Sequence, residues 1–167
     1  CLPVLLSISS FVICLSSVLS DSEQAVKIKS SGFPYKEGDL WQAPSEEEIP
    51  FTEEGELIRL GKNLIAHTAR YLGPKGIRKR IANGMNCQNC HTLAGTQNFG
   101  NPFSAVAASY PKYRHRSGRL ESIEFRVNDC LQRSMNGAPL DSQSLEMRAM
   151  VAYLTWVGKD VPKRVRP

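Results

Sequence analysis

Five consecutive residues carry the strongest chemical signal in this chain: Cys87, Gln88, Asn89, Cys90 and His91. Two thiols separated by two residues, with an imidazole directly after the second, form a C-x-x-C-H spacing. One short turn can then add both sulfurs across the vinyl groups of a haem and bring the adjacent histidine to the iron. A zinc site needs two further well-placed Cys or His ligands, and a thioredoxin-like redox pair belongs in a βαβ pattern. Neither context surrounds Cys87 and Cys90. The spacing predicts one covalently attached haem c, bonded to Cys87 and Cys90, with His91 as the proximal ligand.

The iron also needs a sixth ligand, and thioether, thiolate and imidazole can all supply it. The candidates are Cys130, Met135, Met147, Met150, His67 and His115. Met147 and Met150 fall on the apolar face of a predicted helix, where methionine ordinarily fills core space. His67 lies inside another predicted helix and His115 in a basic loop. Met135, just after a helix and before a turn, is a rival to Cys130. On a helix, Arg126 and Ser134 lie four residues to either side of Cys130 and share its face. A guanidinium beside the sulfur favours the thiolate, the form that binds metal and attacks electrophiles. An inward arginine also costs desolvation unless it meets an anion, such as a haem propionate or a substrate.

Three helices are expected to position these groups. From Gly55 onward, Leu57, Ile58, Gly61, Leu64, Ile65, Thr68 and Leu72 recur on one helix face, ending before Gly73-Pro74. Gly61 in that face admits close approach of another helix. A second helix is expected from Glu121 to Ser134, with Ile123, Val127, Cys130 and Leu131 as its inward stripe and Asn136-Gly137 as its stop. A third runs from Ser144 to Val157 and buries Met147, Met150, Val151, Leu154 and Val157. Between the first two helices, residues 82–119 show no strong periodicity, as expected of a functional loop organised by something other than its own core.

The chain of 167 residues fits one compact domain with extensions. Residues 1–20 hold no charged side chain, and the apolar stretch from Leu2 to Leu15 has the length of a signal-peptide core. They are read as a signal peptide, residues 21–54 as an extended segment and residues 55–167 as the haem domain. Export predicts a periplasmic location, with membrane attachment only where the leader is retained. Removal of the leader leaves Cys87, Cys90 and Cys130, an odd number that no complete disulfide framework uses. The net charge of +5 is unevenly spread, with Arg70, Lys75, Arg78, Lys79 and Arg80 forming one basic run and Lys112, Arg114, Arg116 and Arg119 another. In an exported chain without an aromatic platform, these runs favour small anions or acidic proteins over nucleic acid.

The runs NGMNCQNCHTLAGTQNFG, YPKYRHRSG, RVNDCLQRSMNG and MRAMVAYLTWVGKDVP together resemble the N-terminal haem domain of thiosulfate dehydrogenases and related sulfur-oxidation cytochromes. The resemblance implies an all-α, cytochrome c-like fold in which histidine and cysteine ligate the haem and thiosulfate reacts at that cysteine. Carried across by position, it makes His91 the proximal ligand, Cys130 the distal and reactive sulfur, and Arg116, Arg126 and Ser134 the lining of an anion pocket. Two features depart from the family. The sequence holds one C-x-x-C-H where relatives carry a second haem domain, and Ala138 stands where relatives often have lysine. Joining two thiosulfates releases two electrons and one haem holds one, so a second cytochrome or other redox protein is expected as acceptor. The alternative is a pure electron carrier with no substrate chemistry at the haem.

Overall fold

The structure is a computed structural model that describes residues 40–163. The signal-peptide expectation and most of the extended segment lie outside the described residues. What is described falls within one folded unit. Its helices are α1 (Glu53–Ala66), α2 (Thr68–Leu72), α3 (Thr92–Gly95), α4 (Val106–Ser109), α5 (Ile123–Arg133) and α6 (Leu145–Val157). Two short strands, β1 (Lys112–Arg114) and β2 (Arg119–Glu121), pair as an antiparallel ribbon.

Helix α1 begins where the Thr52 hydroxyl accepts a hydrogen bond from the Gly55 amide at 3.3 Å, satisfying one of the free donors of a helix start. Glu53, Glu54 and Glu56 add negative charge to that positive end. Its buried face consists of Ile58, Gly61, Leu64 and Ile65, spaced as one stripe of a helix. Helix α6 is capped in the same way by Ser144, which accepts from the Met147 amide at 3.3 Å. It buries Met147, Met150, Tyr153, Leu154 and Val157. The two helices cross at Gly61, where a β-carbon would lie 2.0 Å from the Ala149 carbonyl oxygen and 2.7 Å from the Tyr153 Cβ. Only glycine permits that approach.

The first helix is shorter than its periodicity predicts. It stops at Ala66, the backbone leaves helical geometry at His67 (φ −128°, ψ 42°), and a separate turn, α2, follows. The Thr68 hydroxyl donates to the Leu64 carbonyl at 2.7 Å, a local bond that competes with the helical ladder. The Ala69 amide turns instead to the Asn86 side chain, at 2.9 Å.

The expected helical fold is present, with one small ribbon added to it. Lys112 pairs with Glu121, Tyr113 with Leu120 and Arg114 with Arg119, and Gly118 takes a left-handed φ of +66° in the connecting turn. The chain is thus mostly helical with one small sheet among the described residues. Glu121 ends β2, so the second helix starts at Ile123, behind a Ser122 hydroxyl that accepts from the Phe125 amide at 3.2 Å. The turn after α5 is stitched to the segment before the cysteine motif. Ala138 donates to the Ile81 carbonyl at 2.8 Å, and Asn83 donates to the Met135 carbonyl at 3.0 Å. Among the described residues, no helix is long and apolar enough to cross a membrane.

Gly61→Ala is expected to lower the unfolding free energy by about 3 kcal/mol, the upper range of core overpacking, because backbone must move to admit the methyl. Denaturant unfolding at unchanged m-value is the measurement, and an unshifted midpoint would show that the α1–α6 crossing tolerates the added methyl group.

Candidate functional site

The cysteine motif forms a tight turn, with Cys90 and His91 both donating their amides to the Cys87 carbonyl, at 3.2 and 3.0 Å. The Asn86 amide donates to the Asn89 side chain at 2.6 Å and closes the turn from the other end. His91 Nδ1 lies 2.7 Å from the Asn101 carbonyl oxygen. A carbonyl only accepts, so Nδ1 carries the proton and Nε2 keeps a free lone pair, as a metal ligand requires. The His91 ring packs on Phe103 with centroids 4.3 Å apart. Burial lowers the His91 pKa, opposed by the Asn101 carbonyl and aided by the Arg126 charge. The imidazole is therefore kept neutral.

The segment that delivers Asn101 and Phe103 is held in an unusual backbone path. Leu93, Ala94, Phe99 and Asn101 all take positive φ, a conformation non-glycine residues seldom adopt. A β-carbon on Gly95 would lie 2.1 Å from the Phe103 ring. These constraints bring the loop close beneath the imidazole.

Opposite the motif stands α5, and between them lies a cavity of about 330 Å³. Cys87, Cys90 and His91 line one side, while Arg126, Val127, Cys130 and Ser134 line the other. The inward stripe expected of the second helix is thus present. Burial raises the Cys87 pKa, opposed by the Thr68 hydrogen bond, with Cys130 and Cys90 adding smaller upward pushes. Burial also dominates at Cys130 and pushes its thiol up, with Arg126 and Arg114 pulling it down and Asp129 and Cys90 pushing it up. The effect of Arg126 has the expected sign but is smaller than that of burial.

Met135, the rival sulfur, is 4% exposed and lines the same cavity. Met147 and Met150 are fully buried in the core between helices and do not line the cavity. His67 occupies the break between α1 and α2, and His115 packs edge-on against Tyr113 at 5.3 Å. Arg116 is not on the cavity wall. It donates to Asp129 at 2.9 Å from an exposed position, and the same carboxylate pairs with Arg126 and, at 3.8 Å, with Arg133.

Among the lining residues that the sequence did not single out for the site are Tyr110 and Arg114. Arg114 Nε lies 3.6 Å from Glu121 Oε2, a carboxylate 5% exposed. A lone acid closing a basic run was the available signal. Tyr110 sits beside both, and burial raises its pKa above the usual phenol value.

The donor set suits a haem: two thiols and a neutral imidazole on one turn, a sulfur across the cavity, and apolar walls from Ile65, Phe103, Val127, Leu131 and Leu154. Fold and site together define a cytochrome c domain. The chain belongs to the SoxA/TsdA cytochrome c domain family, whose profile matches residues 78–162, and haem c is the cofactor that such a domain implies. It is 36% identical over 124 residues to a thiosulfate dehydrogenase of Psychrobacter arcticus, covering 74% of this chain and 36% of that protein. A thiosulfate dehydrogenase of Stutzerimonas stutzeri is 30% identical over 172 residues, covering 99% of this chain and 54% of the relative. Among solved structures, the thiosulfate dehydrogenase TsdBA of Marichromatium purpuratum, in its as-isolated form, superposes with a TM-score of 0.67 at 26% identity. That match covers 74% of this chain and 27% of the other. The chain thus spans roughly a third to a half of the length of the curated thiosulfate dehydrogenases described here.

Arg114→Met leaves the buried Glu121 carboxylate without its cation and is expected to cost about 1–3 kcal/mol, below the usual price of breaking a buried pair because the arginine is partly solvated. Arg116→Met, at an exposed position, should cost within about 0.5 kcal/mol. Chemical denaturation of the two variants side by side checks this, and equal losses would refute the assignment of Arg114 to the wall.

Proposed function

We propose that this chain is an exported, single-haem c-type cytochrome that takes part in thiosulfate or tetrathionate chemistry at the Cys130 sulfur. In this reading, residues 1–20 are a signal peptide, residues 21–54 an extended segment and residues 55–167 the haem domain, located in the periplasm. Cys87 and Cys90 hold one haem c covalently, His91 is its proximal ligand and Cys130 its distal ligand. The observation that carries the proposal is that Cys130, with Arg126 and Ser134 one helical turn to either side, faces the C-x-x-C-H turn across one cavity.

The bound haem would supply a one-electron acceptor. The protein's own part is to bind and orient the anion. Arg126 at the cavity wall offers charge-assisted hydrogen bonds to a sulfur oxyanion, the Ser134 hydroxyl offers another donor, and Arg116, held at the rim through Asp129, adds positive charge. The apolar walls exclude water and so strengthen these contacts. Forming one sulfur–sulfur bond between two thiosulfate dianions gives tetrathionate and releases two electrons. A second cytochrome or other redox protein must therefore take electrons onward. Membrane association would require the leader to be retained, and nucleic acid is no partner in this reading.

Met135 supports a second reading. A buried thioether on the same wall suits an ordinary His/Met carrier with a raised reduction potential, whereas cysteine ligation lowers it. Low-temperature EPR of the oxidised holoprotein separates the two. Under the first reading, Cys130→Ala removes a thiolate-type low-spin signal, and thiosulfate turnover with ferricyanide as acceptor falls by at least about a hundredfold, the scale expected for a group acting on reacting atoms. Covalent haem is retained. If the signal is of the methionine type and only Met135→Ala abolishes it, Cys130 is a core residue and the chain a pure electron carrier.

A further inference from the structure

Thr68 is a completely buried polar residue, and its hydroxyl lies at the only point where the first helix is interrupted between Glu53 and Leu72. It donates to the Leu64 carbonyl at 2.7 Å. It accepts the Cys87 amide proton at 3.0 Å. The Cys87 sulfur lies 3.2 Å from the same oxygen. A hydroxyl has one proton to give and two lone pairs. Its one proton is shared between the Leu64 carbonyl and the Cys87 sulfur, to which the hydroxyl donates, while a lone pair takes the Cys87 amide. One oxygen thereby fixes both the main chain and the side chain of Cys87.

The neighbouring pair repeats the tether, because Ala69 donates its amide to the Asn86 side chain at 2.9 Å. Thr68 and Ala69 thus clasp Asn86 and Cys87 at two points. The clasp accounts for the broken helix, since an uninterrupted α1 would satisfy the Ala69 amide within its own ladder. Cys90, on the far side of the turn, is exposed. The two cysteines of the motif therefore differ: Cys87 is held against the first helix, whereas Cys90 lines the cavity from an exposed position.

We propose that Thr68 is a positioning residue for covalent haem attachment, its hydroxyl holding the Cys87 thiol at the cavity wall for addition to a vinyl group. The inference rests on the reading of Cys87 and Cys90 as attachment residues. In the addition, the Cys87 sulfur forms a bond to one vinyl carbon and the thiol proton passes to the other. The carbon–carbon double bond becomes single, and no electron enters or leaves. Such a step depends on holding the sulfur within bonding approach of its partner, where small displacements are felt strongly in rate.

The test is to produce the full chain with a c-type haem maturation system as wild type, Thr68→Val and Thr68→Ser, and to count thioether bonds. Valine keeps the branched shape and removes the hydroxyl, whereas serine keeps the hydroxyl. In Thr68→Val, holoprotein carrying haem through Cys90 alone should rise at least about fivefold over wild type. It would be read from the pyridine haemochrome band, displaced toward that of a haem with one remaining vinyl, and from alkylation of Cys87 located by mass spectrometry. Thr68→Ser should match wild type. A purely structural role would lower the yield of holoprotein without changing the ratio of one-bond to two-bond haem. Should valine prevent folding, Asn86→Ala loosens the second tether and should shift the ratio in the same direction. Wild-type ratios in Thr68→Val, or in Asn86→Ala where valine does not fold, overturn the inference, as does a serine variant that behaves like valine. A wild type with no covalent haem on either cysteine overturns the attachment reading beneath it, which is a separate and visible failure.

Discussion

The close approach of α1 and α6 at Gly61 is the constraint on which the remaining geometry depends. With no side chain at that position, the Ala149 carbonyl comes within a bond length or two of where a β-carbon would sit. Leu64, Ile65, Met150, Tyr153 and Leu154 then pack around the crossing. That crossing sets how α1 lies against α6, and beyond the end of α1 Thr68 and Ala69 meet the cysteine motif. It also fixes Tyr153, whose hydroxyl donates to the Ala94 carbonyl at 3.0 Å and anchors the loop beneath His91.

Much of this could be read from the chain itself, for reasons that are local. The spacing of Ile58, Leu64 and Ile65, and of Met147, Met150 and Leu154, belongs to helices whose faces are buried, so periodicity and structure agree. Cys130 reached the cavity because Ile123, Val127 and Leu131 share its stripe. The parts that escaped depend on partners far away in sequence. Leu72 continues the apolar rhythm of α1, yet the helix breaks before it because Thr68 and Ala69 bond to residues nineteen and seventeen positions on. The ribbon at Lys112–Glu121 has strands of three residues, too short for alternation to register within a basic run. Arg114 and Arg116 illustrate the consequence. In sequence they are two similar cations, but the strand ends at Arg114, which lines the cavity, and Arg116 falls in the exposed turn.

The arginines around the cavity are paired in part within the protein itself. Arg114 is neutralised by Glu121, a buried carboxylate on the facing strand. Arg126, Arg116 and Arg133 share the one carboxylate of Asp129, leaving a local surplus of two positive charges at the α5 end of the cavity. Such a surplus is tolerated because Arg116 and Arg133 are more than half exposed, where water screens their repulsion. Under the proposed function, that surplus suits a dianion, which would balance it while Asp129 keeps its place. Arg126 need not abandon Asp129 to take part, since a guanidinium has five donors in a planar fork. The carboxylate occupies one edge and leaves another for a ligand. Asp129 therefore acts less as a competitor for the anion than as the group that keeps three mobile side chains assembled on one side of Cys130.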